Sequence, residues 1–103
     1  MKRFILTPRA KQDVNDIWDY IANDNIEAAD RVLDALDNAM IRLATNPGIG
    51  HWRDELTDKR HRFLLVYSYL IVYRHKTKPL QIIRVLHAAR DVQSMLGPAQ
   101  DEQ

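Results

Sequence analysis

The side chains able to do chemistry are gathered in one part of this sequence. Residues 51–90 hold all four histidines (His51, His61, His75 and His87) and nine bases: Arg53, Lys59, Arg60, Arg62, Arg74, Lys76, Lys78, Arg84 and Arg90. Only Asp54, Glu55 and Asp58 oppose them, a local balance of +6. An imidazole titrates near neutrality and can accept and return a proton. Guanidinium and ammonium groups can hold negative charge. Residues 13–37 are the reverse, with eight acids (Asp13, Asp16, Asp19, Asp24, Glu27, Asp30, Asp34 and Asp37) and one base, Arg31, a balance of −7. Segregation of this size gives a folded domain an acidic side and a basic side, and so predicts charged partners. There is no cysteine, which excludes disulfides and thiolate metal sites and points to a reducing compartment, the cytoplasm. No metal and no cofactor is expected.

The elements that position these residues follow from periodicity. With 103 residues, 46% hydrophobic and 28% charged, the chain has material for one modest core; residues 1–96 are expected to form one domain and 97–103 a flexible tail. The longest apolar stretch, Phe63 to Tyr73, is about half a membrane span, and Phe4-Ile5-Leu6 is too short for the apolar segment of a signal peptide, so no membrane is involved. Lys2 to Thr7 reads as a strand. Thr7 caps a helix that has Pro8 at its first position and an apolar stripe of Ala10, Val14, Ile17, Trp18 and Ile21. Asn23-Asp24-Asn25 ends it and caps a second helix, striped by Ala29, Val32, Leu33, Leu36, Met40 and Leu43, which stops at Asn46-Pro47-Gly48. So short a turn makes an antiparallel helical hairpin. Arg62 to Tyr67, Tyr69 to His75 and Leu80 to His87 read as a three-stranded antiparallel meander, and a short helix is expected to follow. The fold class is α+β.

In the second strand of the meander, Tyr69, Ile71 and Tyr73 share one face, and Leu70, Val72 and Arg74 the other. In the third, strict alternation sets Ile83, Val85 and His87 against Leu80, Ile82, Arg84 and Leu86. One hairpin covers one face. The other, with Leu70, Val72, Leu80, Ile82 and Leu86 rimmed by Arg74 and Arg84, is expected to be an exposed binding surface. A dimer contact, or cover from residues Arg90 to Leu96, is the alternative. His87 on the Ile83–Val85 face also reads as a buried histidine bonded to backbone or to Asp91, Trp52 as a core anchor, and Tyr73 as packing against the helices.

Three stretches carry a family resemblance. Arg84-Val85-Leu86-His87-Ala88-Ala89-Arg90-Asp91 resembles the arginine–apolar–leucine–histidine–x–x–arginine–aspartate ending of the RelE/ParE toxin superfamily. Tyr69-Leu70-Ile71-Val72-Tyr73-Arg74 resembles its central strand. Gly50-His51-Trp52-Arg53-Asp54-Glu55-Leu56 resembles its glycine–x–x–arginine–x–acid–leucine loop. Ala88 departs from the pattern, standing where glycine is frequent. The resemblance implies a toxin of a type II toxin–antitoxin system, neutralised by an antitoxin whose flexible segment wraps it, with a higher-order toxin–antitoxin complex as a further expectation. It also implies one of two targets. RelE-like members cut messenger RNA in the ribosomal A site; ParE-like members poison DNA gyrase, trapping its cleaved-DNA complex.

Metal-free RNA cleavage needs a base, an acid and cations for the phosphorane charge, and Arg62, Arg74, Arg84 and His87 are the residues that could supply them. Against this, Leu86-His87-Ala88 lacks the tyrosine that commonly follows the histidine in the RNA cutters, and Lys59 alone stands between Leu56 and Arg62 where a lysine cluster is expected. The ending resembles the ParE-like, plasmid-stabilisation branch. The expectation is a gyrase inhibitor with no catalytic residues, whose antitoxin binds Leu70, Val72, Arg74, Leu80, Ile82, Arg84 and Leu86. A ribosome-dependent endoribonuclease and a non-toxic antitoxin-binding homologue are the alternatives.

Overall fold

Two capping side chains set the helical hairpin. In the computed structural model, which describes residues 4–51 and 61–89, β1 (Phe4–Leu6) leads into α1 (Pro8–Ala22) through Thr7. The Thr7 Oγ1 accepts the Ala10 N–H at 3.1 Å and donates to the Ile83 carbonyl at 3.0 Å, so one hydroxyl caps the helix and ties it to the sheet. Asn25 caps α2 (Ile26–Thr45) by accepting the Ala28 N–H at 3.0 Å. A 3-10 turn at Pro47–Ile49 follows, then β2 (His61–Val66), β3 (Tyr69–Arg74) and β4 (Leu80–His87). The sheet order is β1-β4-β3-β2, with β1 parallel to β4 and the other pairs antiparallel. Among the described residues no helix is long and apolar enough to cross a membrane. The expected C-terminal helix lies outside them.

The hairpin packs on one sheet face. Leu36, Ala39, Met40 and Leu43 of α2 are buried against Tyr69, Ile71, Tyr73, Leu80, Ile82 and Val85, with Val14, Ile17, Ile21 and Val32 half-buried at the margin. Trp18 stays outside this cluster; its indole N–H crosses the hairpin to the Asp30 carboxylate at 2.9 Å.

The expectation of strict alternation in β4 fails at one position. Tyr73 pairs with Ile82 and Val72 with Arg84, so Ile83 is an extra residue, a β-bulge that shifts the pleat by one. Leu80 and Ile82 therefore face the helices together with Val85 and do not belong to the opposite face. Only Leu70, Val72 and Leu86 of the expected apolar set lie there, with Phe63 and, half-buried, Ile83 and Ala88. That face is not bare either: Phe63, Leu70, Val72 and Leu86 are each no more than 3% exposed.

The bulge also explains Arg84. β1 covers β4 only as far as Ile82, and past it α1 lies along the strand. Asp13 accepts the Val85 N–H at 3.0 Å, the Arg84 Nε–H at 2.7 Å and a second Arg84 N–H at 3.1 Å. The carboxylate is 11% exposed and its guanidinium partner 27%, so both are largely desolvated. Asp13→Ala should cost about 2–3 kcal/mol, since it strands a buried amide and a half-buried cation. Asp13→Asn, which keeps an acceptor for Val85, should cost less. Equal denaturation midpoints for both variants and the parent would show that the clamp carries no stability.

Candidate functional site

The four residues of the RNA-cutting alternative are positioned by different parts of the sheet. His87 ends β4 opposite Tyr69, and Arg74 ends β3 opposite Gln81. Five residue steps along β3 separate those two levels, about 17 Å at the rise of an antiparallel strand. Arg84 is bound to Asp13. Arg62 donates to the carbonyls of Gly48 at 3.2 Å and Gly50 at 3.1 Å. His87 is half-buried, its ring meeting that of Tyr69 edge-on at 5.6 Å, and its Nδ1 accepts the Ala89 N–H at 3.2 Å. The expected backbone bond of His87 is thus present. Asp91 and Arg90 lie outside the described residues, as do Trp52, Arg53, Glu55 and Leu56.

Tyr73 does more than pack. Its side chain is fully buried, its hydroxyl donates to the Pro47 carbonyl at 2.6 Å, and it accepts the Gly50 N–H at 3.0 Å. Gly50 is needed for this approach, because a Cβ there would fall on the hydroxyl and come within 2.8 Å of ring Cε1. With Arg62 holding the neighbouring carbonyls, the loop after α2 is fastened to β3 and the edge strand β2 by two side chains. Gly50, Tyr73 and Arg84, all residues of the resemblance, serve the scaffold by these contacts.

The family model of the ParE toxin of the type II toxin–antitoxin system, parDE, matches residues 4–92. The chain belongs to the ParE toxin family. Toxin ParE1 of Mycobacterium tuberculosis is 33% identical over 92 residues, 87% of this chain and 93% of that protein. Toxin ParE1 of Caulobacter vibrioides is 33% identical over 98 residues, 94% of this chain and 100% of that protein. A solved chain of the chromosomal ParDE system from P. aeruginosa shares the fold, with a TM-score of 0.68 at 23% identity over 84% of this chain and 96% of that one. The α+β toxin fold read from the sequence is the fold of this ParE family member.

Two features escaped the sequence reading. Asp13 follows Ala10 by three positions and precedes Ile17 by four, so it flanks the apolar stripe of α1; a carboxylate at that position was the available signal for a buried partner. The second is a cleft at the β3–β4 loop, lined by His75, Lys76, Thr77 and Lys78 against Thr45 and Pro47. Its signal was a run from His61 to Ala89 with five Lys or Arg and no Asp or Glu.

Burial raises the Tyr73 hydroxyl above its usual value of 10.0, against smaller lowering effects of the Gly50 N–H and Arg62. A proton held more tightly in the folded state stabilises the fold below the unfolded pKa and ceases to do so as pH rises through the folded one. Parent stability should therefore fall at alkaline pH, and Tyr73→Phe should flatten that limb. At neutral pH the same variant should lose about 1–3 kcal/mol, because Gly50 N–H and Pro47 C=O lose their partner. Denaturant titrations across pH for both proteins measure this; an unchanged neutral stability would remove the hydroxyl from the set of structural contacts.

Proposed function

We propose that this protein is a cytoplasmic ParE toxin of the plasmid-stabilisation kind that inhibits DNA gyrase and DNA replication by binding and is neutralised by a cognate antitoxin. The observation that supports binding over catalysis is the dispersal of Arg62, Arg74, Arg84 and His87. A nuclease needs acid, base and charge-stabilising cation within reach of one phosphodiester. Here two of the three arginines are committed to internal acceptors, and the third is about five strand residues from the imidazole. The absence of a tyrosine after His87 supports the same side.

Induced expression with separate pulse labelling of DNA and protein synthesis tests the target. DNA synthesis should collapse first, and His87→Gln should retain most of the growth inhibition. An early collapse of translation, or a folded, antitoxin-binding His87→Gln variant that is harmless, returns the nuclease.

We infer an antitoxin surface other than the expected one, a reading supported by the inward-facing Leu80 and Ile82 and the burial of Leu70, Val72 and Leu86. An open apolar groove of about 340 Å³ lies between β1 and the helices, lined by Phe4, Leu6, Val14, Leu33 and Met40, with Asp34 at its rim. It suits an antitoxin segment that presents apolar side chains flanked by Lys or Arg. The apolar contacts supply affinity and the rim supplies partner choice. Leu33→Glu should weaken antitoxin binding by at least about tenfold, from the loss of one buried apolar contact. Unchanged affinity in a folded variant would place the antitoxin elsewhere.

A further inference from the structure

Charge in this molecule is separated along the strands rather than between the faces of the sheet. α1 runs along β4, bringing Asp16 and Tyr20 beside Tyr69 and His87. α2 then returns and brings Ala44 and Thr45 beside the β3–β4 loop. The acid-rich turn of the hairpin therefore extends beyond one end of the sheet. At the other end the start of β2 and the end of β3 put His61 opposite Arg74 and Arg62 opposite Tyr73, and the loop adds His75, Lys76 and Lys78. No acidic residue lies between His61 and Ala89, and Arg84 is already neutralised by Asp13. Among the described residues no carboxylate pairs with Arg74, Lys76 or Lys78.

The cleft at this end has a volume of about 560 Å³. Its loop is held in shape by Thr77, whose hydroxyl donates to the Arg74 carbonyl at 3.1 Å and accepts the Gln81 N–H at 3.0 Å. Lys76 and Lys78 flank that staple and are both exposed. Burial, with help from Arg62 and Lys76, keeps the His75 imidazole below its usual range, so at neutral pH it offers hydrogen bonding without adding to the crowded charge.

We propose that this cleft docks the phosphate backbone of duplex DNA, with Lys76, Lys78 and the adjoining Arg74 as the phosphate-contacting cations. Three properties favour that occupant. A cation cluster with no acid paired to it among the described residues gains affinity from a polyanion by releasing its counterions. An acidic protein segment would need apolar anchors as well, and none of the exposed large apolar side chains (Ile5, Tyr20, Ile26, Ile41, Leu65 and Tyr67) lines the cleft. Single strands are gripped by successive bases stacking on aromatic side chains, and among the described residues no Phe, Tyr or Trp lines the cleft; its one aromatic ring is the His75 imidazole. The acidic end is repelled by the same polyanion, so the molecule approaches DNA in one orientation. The proposal deepens the gyrase reading, because a poison that holds a cleaved-DNA complex gains by gripping the DNA itself, yet its test needs no gyrase.

That test is fluorescence anisotropy of the purified full-length chain on a short labelled duplex of mixed sequence, across a salt series. The slope of log K against log salt should be about −3, near 0.9 for each of three phosphates neutralised. The Lys76→Gln/Lys78→Gln variant should reduce its magnitude by about 2 and bind more weakly at every salt concentration. Arg31→Gln, at the acidic end, should match the parent. Circular dichroism establishes that each variant is folded. The proposal is overturned if the double variant binds the duplex as the parent does, if single strands bind as tightly as the duplex, or if poly-glutamate binds the cleft and the duplex does not. A null result leaves the gyrase reading standing, since no gyrase is present.

Discussion

β1 spans three residues and covers β4 only to Ile82, so the rest of that edge needs another partner. The Asp13 carboxylate is that partner: three N–H groups converge on it, two from Arg84 and one from the backbone of Val85. An open strand edge is a template for unwanted pairing, and a buried amide without an acceptor is costly; one side chain resolves both. It does so only because the bulge at Ile83 breaks the alternation, allowing Val85 to face the helices while Arg84 reaches Asp13. Thr7, bonded to the Ile83 carbonyl, holds the start of α1 to the same irregularity. The placement of the helical layer on the sheet, and of the groove beside β1, depends on this short stretch.

A second fastening acts at the other end of the hairpin. After α2 the chain must turn beneath the sheet, and Tyr73 and Arg62 take four of its backbone groups and tie them to β3 and β2. Tyr73 is a core residue that uses its one polar atom as both donor and acceptor, so its burial strands nothing. The arginines of the RNA-cutting alternative are similar. Arg62 and Arg84 look like catalytic cations in a sequence, but in the fold they complete the bonding of a loop and of an edge. A pattern of such residues reports the scaffold before it reports chemistry, and function must be argued from groups the scaffold leaves uncommitted.

Much of the fold was legible. The caps at Thr7 and Asn25, the hairpin turn at Asn23–Asn25 and the breaks at Ser68 and at Lys76–Pro79 are local signals with local causes, and they fell where the chain places them within a residue or so. The frame shift in β4 was not legible, because Leu80-Gln81-Ile82-Ile83-Arg84-Val85-Leu86 reads as apolar on both faces and a bulge in it leaves no mark. That single residue carried Leu80 and Ile82 from the expected binding face to the core. The burial of Leu70, Val72 and Leu86 was not legible for a different reason: helix and strand periodicity shows which faces are apolar, but it cannot show how many of them are covered.

The charge pattern shows how topology changes the meaning of a composition. In the sequence, acids belong to the helices and bases to the strands, which suggests a division between layers. An antiparallel hairpin displaces that division, because the acids concentrate toward its turn while α2 returns along the sheet. The bases meanwhile gather where β2 begins, β3 ends and β4 starts, which in a meander is one end. Arg84, farther along β4, is withdrawn by Asp13, so among the described residues the sheet's unpaired positive charge is confined to that end. Layer separation would orient the protein flat against a charged partner. End separation instead orients it upright, with the β3–β4 loop leading, and the β1 groove on its flank then remains open to a second partner.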